Sequence, residues 1–309
     1  MEVNNTVQLG EAPDDFEILD EKMLPPVNEA KRFFKVFFRR KIVVVSTVFV
    51  LIFLVLAIFQ KQIAPYDPNV QNLENYFVAP NAEHLLGTDA LGRDLLSRII
   101  YGTRVAMIVG VAAVILSAAV GTILGLIAGY VEGIIGTMIM RMNDALMAIP
   151  NLILTLMIAQ VLQAGVPGIV VAISISLFPG YIRLAYGQVL SLKQNDYVMA
   201  ARSMGAKKSR IILRHLLPNC LSPLIVRMTM MIGIAILAEA GLSFLGLGIK
   251  PPTPAWGSMC YDGYKYLLTR PLLSLAPGFV IMLLVLSFNM VGDGLRDAID
   301  PRMRGTSAS

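Results

Sequence analysis

The amino-acid sequence predicts an all-α polytopic membrane protein with six transmembrane helices. Of its 309 residues, 56% are apolar and only 15% are charged, a composition far from that of soluble domains. The apolar residues are gathered in long segments, and a helix needs about 20 such residues to cross the hydrocarbon core of a bilayer. We therefore interpret the chain as a bundle of membrane-spanning helices.

Six apolar segments support this count. The first, Ile42 to Phe59, and the second, Val105 to Tyr130, contain no charged residue. The other four lie within about Met138 to Ala164, Val166 to Leu190, Leu221 to Gly246 and Leu272 to Val291. Charged residues interrupt the third to fifth segments and make their boundaries less certain: Arg141, Asp144, Arg183, Arg227 and Glu239.

The distribution of lysine and arginine predicts that both termini are cytoplasmic. With the N-terminus inside, sixteen of these cations fall in cytoplasmic segments and seven in outer ones. A cleavable signal peptide is not expected, because the first apolar run begins only at Ile42. The basic net charge then reflects topology and does not indicate nucleic-acid binding.

The segment before the first span has two parts. Residues 1–30 carry a cluster of acidic residues, and we expect them to be disordered. The following stretch, KRFFKVFFRRK, interleaves phenylalanine with cations. This pattern is typical of an interfacial helix leading into the membrane, and it fits a plain positively charged flank equally well.

A short basic segment separates the fourth and fifth spans, YVMAARSMGAKKSRIILRHLLPN from Tyr197 to Asn219. Helical spacing places Tyr197, Ala201 and Met204 on one face. We predict two short helices, the first ended by Gly205, the second begun by Ser209 and stopped by Pro218. From Lys193 to Asn219, six cations against one acid, Asp196, predict a cytoplasmic position, where another protein can dock.

The sequence indicates no nucleotide site and no catalytic centre. The string GAKKS lacks the earlier glycine and the glycine before lysine that a phosphate-binding loop requires. Cys220 and Cys260 are predicted near opposite membrane faces, as are His84 and His215, so neither a disulfide nor a metal site is expected. Any energy for uphill transport must therefore come from a partner.

The outer segment between the first two spans, Lys61 to Thr103, ends in HLLGTDALGRDLLSRIIYGTR. Its glycines mark turns, and its aspartates and arginines can pair at the membrane surface. As a string, HLLGTDALGRDLLSR resembles the N-terminal signature of the C-type permease subunit of bacterial dipeptide, oligopeptide and nickel ABC importers. The residues in this signature loop are His84, Gly87, Thr88, Asp89, Gly92, Arg93, Asp94, Ser97 and Arg98.

Other stretches resemble the same family in the same order. The Tyr197 to Asn219 segment resembles its EAA loop, which contacts the ATP-hydrolysing subunit, with Met199 in place of the usual glutamate. The resemblance implies ATPase coupling by Met199, Ala200, Ala201, Gly205, His215, Leu217 and Pro218. RMNDALMAIPNLIL resembles the third-helix motif, AEAGLSFLGLGIKPPTPAWGSM the passage from the fifth helix to the outer loop, and DGLRDAIDPRMRG the cytoplasmic tail.

The resemblance implies a type I ABC importer permease of the MetI-like fold in a bacterial cytoplasmic membrane. It implies a second related permease, one or two cytoplasmic ABC ATPases and an extracytoplasmic binding protein as partners, besides membrane lipid. ATP and Mg would bind the ATPases, and this chain would bind no cofactor. The corresponding division is 1–41 as the cytoplasmic N-terminal segment, 42–103 as first helix and outer loop, 104–293 as transmembrane domain with coupling loop 196–218, and 294–309 as tail.

Three polar residues within the spans are candidates for the pathway or its gate. Arg141 and Asp144 share a helical face, where they can pair with each other or face water. Glu239 can act in the pathway or its gate, or it can only lock helix packing. Glycines 121, 125 and 129 indicate a close packing face, and Pro179 followed by Gly180 predicts a kink.

Short peptides are the expected substrates, because the resemblance is to peptide importers. Nickel chelates, opines, glutathione and oligosaccharides remain alternatives within the same family. An ion-coupled carrier or channel without an ATPase is the alternative from another class. An inverted repeat would favour such a carrier, and we see none in the sequence.

Overall fold

The computed structural model describes residues 29–131, 133–162 and 165–299. Within these ranges the chain is almost entirely helical, and the β-type pairing is an isolated bridge between Thr88 and Asp94. Most of the predicted acidic tail, residues 1–30, and the end of the predicted C-terminal tail lie outside the described residues.

The described helices, in chain order, are α1 (Glu29–Phe37), α2 (Lys41–Ile58), α3 (Gln60–Ile63), α4 (Leu95–Tyr130), α5 (Ile134–Met147), α6 (Asn151–Leu162), α7 (Val166–Leu192), α8 (Asp196–Ser203), α9 (Lys208–Ile211), α10 (Leu217–Phe244), α11 (Trp256–Tyr264) and α12 (Leu272–Ile299). A 3₁₀ turn covers Leu73–Asn75, and a π-helical turn, Ile212–Leu216, joins α9 to α10.

Five long helices correspond to the predicted first, second, fourth, fifth and sixth spans. They are α2, α4, α7, the continuous Lys208–Phe244 helix and α12, and each is apolar enough to cross a membrane. Helix α4 has 36 residues. At about 1.5 Å per residue it is about 54 Å long, well beyond the roughly 30 Å of hydrocarbon, so it also extends into an aqueous region.

The predicted third span is not one straight helix. It consists of α5 and α6, which are bent by 94° relative to each other. Pro150 lies between them, and a proline has no amide hydrogen and disfavours helical geometry at the preceding residue. The described residues therefore contain five candidate spans, or six if the bent pair counts as one.

The closest helix packing is between α4 and α7. A Cβ added at Gly121 would lie 2.6 Å from Tyr181 Cβ, and one at Gly129 would lie 2.8 Å from Val189 Cβ. At Gly125 it would lie 2.5 Å from the Ile182 carbonyl oxygen. The glycine face thus lets the two backbones approach each other, as a small-residue packing surface does in membranes.

The N-terminal helix α1 packs beside the end of α12. Arg40 Nη2 lies 3.0 Å from Asp297 Oδ2, and Phe37 approaches Gly294. Phe34 on the same helix is 58% exposed. An apolar ring at the start of a membrane span can enter the interfacial region of a bilayer, so the interfacial helix stays a prediction.

Candidate functional site

The coupling segment, Asp196 to Pro218, begins with α8 and a glycine turn. The Gly205 amide donates to the Arg202 carbonyl at 3.0 Å, and the Ala206 amide donates to the Ala201 carbonyl at 3.1 Å. These two bonds, with Gly205 at φ +76°, form a Schellman motif that satisfies the last carbonyls of α8. The structure confirms the prediction that the first helix ends at Gly205.

The second half of the coupling segment differs from the prediction. The helix begins at Lys208, one residue before Ser209, and it does not stop at Pro218. Pro218 lies near the first turn of α10, directly after the π-helical turn. The wider turn accommodates a residue that cannot donate a backbone hydrogen bond, so α9 continues into the predicted fifth span.

The coupling segment is anchored on one side and exposed on the other. Val198, Ala201, Ile211 and Leu216 are buried against the α4 and α7 core. The large apolar side chains exposed on the segment are Tyr197, Met199, Met204 and Leu213, and Met204 is 82% exposed. Exposed apolar groups among cations are typical of a protein interface.

The predicted helical face of this segment is wrong for Met204. Tyr197 and Ala201 lie four residues apart on α8, whereas Met204 follows the last residue of the helix and no longer obeys its periodicity. Ala201 is buried, and Tyr197 and Met204 are exposed. Leu213 is an exposed apolar group that sequence reasoning did not single out. Met199, Ala200, Gly205 and Pro218 are also exposed, while His215 and Leu217 are partly buried.

The signature loop forms a buried polar network at the start of α4. Asp94 Oδ2 accepts a 2.8 Å hydrogen bond from the Ser97 amide, so Asp94 caps the helix. Its other oxygen lies 2.9 Å from Nδ1 of His84, and Ser97 Oγ accepts from the Tyr66 amide at 3.0 Å. The network ties three separate parts of the outer segment to one helix end.

Asp89 is the centre of a second group in the loop. Its Oδ2 accepts a 2.7 Å hydrogen bond from Arg93 Nε, and its Oδ1 accepts from the Leu91 amide at 2.8 Å. Arg98 Nη1 donates to the Pro68 carbonyl at 2.9 Å. Gly87 and Gly92 have positive φ, and Thr88 Oγ1 accepts from the Val78 amide at 2.8 Å. The structure thus brings all nine signature residues together.

We expect Asp94→Ala to destabilise the outer segment by about 1–3 kcal/mol. The change removes a helix cap and leaves the buried His84 without its partner. Thermal unfolding of the purified protein in detergent, together with protease cleavage between residues 61 and 103, measures the effect. Asp67→Ala removes an exposed cap on the Asn69 amide and is the control, expected within about 0.5 kcal/mol of the native protein. Equal behaviour of the two variants would contradict the capping role.

The three candidate pathway residues do not form one group, because Glu239 lies away from Arg141 and Asp144. Asp144 pairs with Arg183 of α7 at 2.6 Å and not with Arg141, although Arg141 and Asp144 share one cavity of about 380 Å³. Glu239 is 1% exposed, and its Oε1 accepts a 2.7 Å hydrogen bond from Ser243 Oγ, which accepts in turn from the Ile249 amide. This arrangement ties the end of α10 to the loop that follows it.

Cys220 lies on α10 and Cys260 on α11. Cys220 and Cys260 are both free thiols, and burial raises the pKa of Cys260, on α11, to about 11. Among the described residues, no group of three or more histidine, cysteine, aspartate or glutamate side chains has the geometry of a metal site.

The long apolar helices define a multi-pass membrane protein, and the part of the chain that the structure describes contains no strand. The pattern of the family described as binding-protein-dependent transport system inner membrane component matches residues 121–305. The N-terminal transmembrane domain of oligopeptide transport permease C matches residues 29–81. The chain belongs to the binding-protein-dependent transport system inner membrane component family.

Curated relatives cover nearly the whole chain. It is 42% identical over 285 residues to the dipeptide transport system permease protein of Haemophilus influenzae, covering 90% of this chain and 97% of that protein. It is 40% identical over 293 residues to the glutathione transport system permease protein of Pectobacterium atrosepticum, covering 93% and 95%.

Among solved structures, the inward-facing MetNI methionine ABC transporter has a similar fold. The TM-score is 0.55 at 17% identity, and the alignment covers 67% of this chain and 98% of that chain. The type I ABC importer permease fold predicted from the sequence is confirmed.

Proposed function

We propose that this chain is one of two permease subunits of an ATP-driven importer for short peptides. The observation that carries the proposal is the exposed apolar and basic surface of the coupling segment, which is held rigidly on the transmembrane core. Relatives named for dipeptide and glutathione transport support a peptide substrate, since glutathione is itself a small peptide.

In this proposal the coupling segment docks on a cytoplasmic ABC ATPase, which binds ATP and Mg. Both termini lie in the cytoplasm. A second permease completes the pathway, and an extracytoplasmic binding protein delivers the peptide to the outer segment. The signature residues position that outer segment through buried hydrogen bonds and do not act on the substrate chemically.

The continuity of α9 with α10 supports a direct mechanical route. Residues from Lys208 to Phe244 form one helical path, so movement of the docked segment also moves a membrane span. ATP binding closes the ATPases and favours the outward-open arrangement, and hydrolysis restores the inward-open one. Each step requires the nucleotide state to bind one arrangement better than the other.

We expect Met199→Glu to change peptide import by no more than about fivefold, because exposed ion pairs contribute only about 0–1 kcal/mol. Met199 is 49% exposed, and Arg202 lies three residues later on the same helix, where it can pair with the new carboxylate. Import by reconstituted complexes measures the effect.

Met199→Lys is the matched control, since it adds a like charge beside Arg202 and is expected to reduce import further. Complete loss of ATP-coupled import in an assembled Met199→Glu complex would show instead that Met199 is adapted to its own ATPase.

Affinity purification from native membranes in mild detergent tests the proposed function. We expect the chain to retain a second permease and one or two ATPases, and the eluate to hydrolyse ATP faster when the binding protein is added. Recovery of the intact chain alone, without ATPase activity, would contradict the proposal and favour a stand-alone carrier.

A further inference from the structure

Arg227 is a cation inside the predicted fifth span. Among the described residues, it forms no ion pair with a carboxylate, and its Nε is buried without a hydrogen-bond acceptor. At about 1.5 Å per residue, it lies about 15 Å from the start of α10 and about 25 Å from its end. A charge at this depth is expensive unless something pairs with it.

The surroundings of Arg227 hold its guanidinium in one place. The Cζ atom lies 5.4 Å from the centre of the Tyr181 ring, and Tyr181 is fully buried. A methyl group at Gly180 would overlap Arg227 Nη2, so this glycine leaves the space that the guanidinium occupies. The packing thus orients a planar donor group and leaves its charge uncompensated.

The same face of α7 carries further charge that lipid cannot cover. Arg183 lies one turn after Gly180 and pairs with Asp144. The side chains of this pair are 55% and 47% exposed. Because exposed charges within membrane spans face water or protein, we place this face toward an aqueous pathway. Asp144 pairs with Arg183, whereas Arg227 has no carboxylate partner among the residues that the structure describes.

We infer that Arg227 contacts the C-terminal carboxylate of the peptide as it crosses the membrane. This inference rests on the proposed function and names the substrate group that the pathway binds. Peptides differ in their side chains, but each has one terminal carboxylate, and a guanidinium binds a carboxylate through two parallel hydrogen bonds. One uncompensated arginine therefore matches the group that all such substrates share.

The test uses the full complex, with both permeases, the ATPases and the binding protein, reconstituted in liposomes. The probes are alanyl-alanine and its C-terminal amide, and the readout is the ratio of their uptake rates. The binding protein is the same for every variant, so its own preference cancels when the ratios are compared. For Arg227→Gln we expect the carboxylate-to-amide ratio to fall about tenfold, the usual effect of losing a charge-assisted hydrogen bond.

Three further variants separate a substrate contact from a structural role. Arg227→Lys keeps the charge and should retain the ratio within about threefold. Gly180→Ala keeps the arginine but displaces its guanidinium, and it should lower the ratio in the same direction. Arg39→Gln removes an exposed cation on the N-terminal segment and should leave the ratio unchanged.

An unchanged ratio in Arg227→Gln, with or without a uniform loss of uptake, would overturn the carboxylate contact and assign Arg227 to packing or to the second permease. If Arg227→Gln does not assemble, an unchanged ratio in Gly180→Ala overturns it equally. If the native complex takes up neither probe, the proposed function is refuted, and the carboxylate contact that rests on it is refuted as well.

Discussion

Gly125→Val is expected to prevent the complex from folding stably. Even a Cβ at this position would lie 2.5 Å from the Ile182 carbonyl oxygen and 2.7 Å from Ala185 Cβ. The first of these atoms belongs to the backbone and cannot rotate away, so α4 and α7 must separate. We expect a loss of about 3 kcal/mol or more, at the upper end for overpacked interiors.

The measurement is the yield of assembled complex after detergent extraction, together with its thermal unfolding temperature. Gly187→Ala is the matched control, because Gly187 lies on α7 with nothing within 4 Å of its added Cβ. Alanine favours a helix over glycine by about 0.5–1 kcal/mol, so this variant should be as stable as the native complex or slightly more stable. Normal yield of Gly125→Val would refute the close packing of α4 against α7.

Gly205→Val is expected to reduce peptide import about tenfold while the complex still inserts and assembles. Nothing lies within 4 Å of an added Cβ, so the effect comes from backbone conformation and not from a clash. At φ +76° an ordinary side chain costs about 1–2 kcal/mol, and a β-branched one is a clear outlier. The turn then changes, and with it the angle between α8 and the helix that begins at Lys208.

Gly205→Asn is the control, since asparagine tolerates this conformation better than other residues. We expect import to decrease in the order native, Gly205→Asn, Gly205→Asp and Gly205→Val. Gly205→Asp should import less than Gly205→Asn, because it also adds a carboxylate to the exposed surface of the coupling segment. ATP hydrolysis with and without binding protein, measured on the same samples, separates coupling from assembly. Equal import by the Gly205→Val and Gly205→Asn variants would show that the left-handed turn is not required.

Much of the fold was predictable because membrane helices obey a strong local rule. Uncharged runs such as Ile42 to Phe59 identify spans directly, since the bilayer requires apolar residues and internally satisfied backbone groups. Gly205 was predicted as a helix end for a similar reason, because the left-handed cap depends on one residue type. The resemblance of the signature and coupling loops then pointed to the family.

Other features depended on which side chains meet in space. Arg141 and Asp144 share a helical face, yet Asp144 pairs with Arg183, which approaches from a helix 39 residues away in sequence. The span around Pro150 reads as one apolar segment, and only the structure shows the 94° bend. Pro218 was predicted to stop the helix, but the π-helical turn before it accommodates a residue that donates no backbone hydrogen bond.

The sequence by itself determined that this is a membrane protein and how many apolar segments it has, because hydrophobicity and turn chemistry act over a few neighbouring residues. The two loops were interpreted from their resemblance to a family. Only the tertiary structure decided that Ala201 is buried while Met204 is exposed, that Glu239 bonds to Ser243, and that Arg227 lies against Gly180. These features depend on how helices distant in the chain pack together, since the energetic effect of a buried charge depends on the groups that surround it.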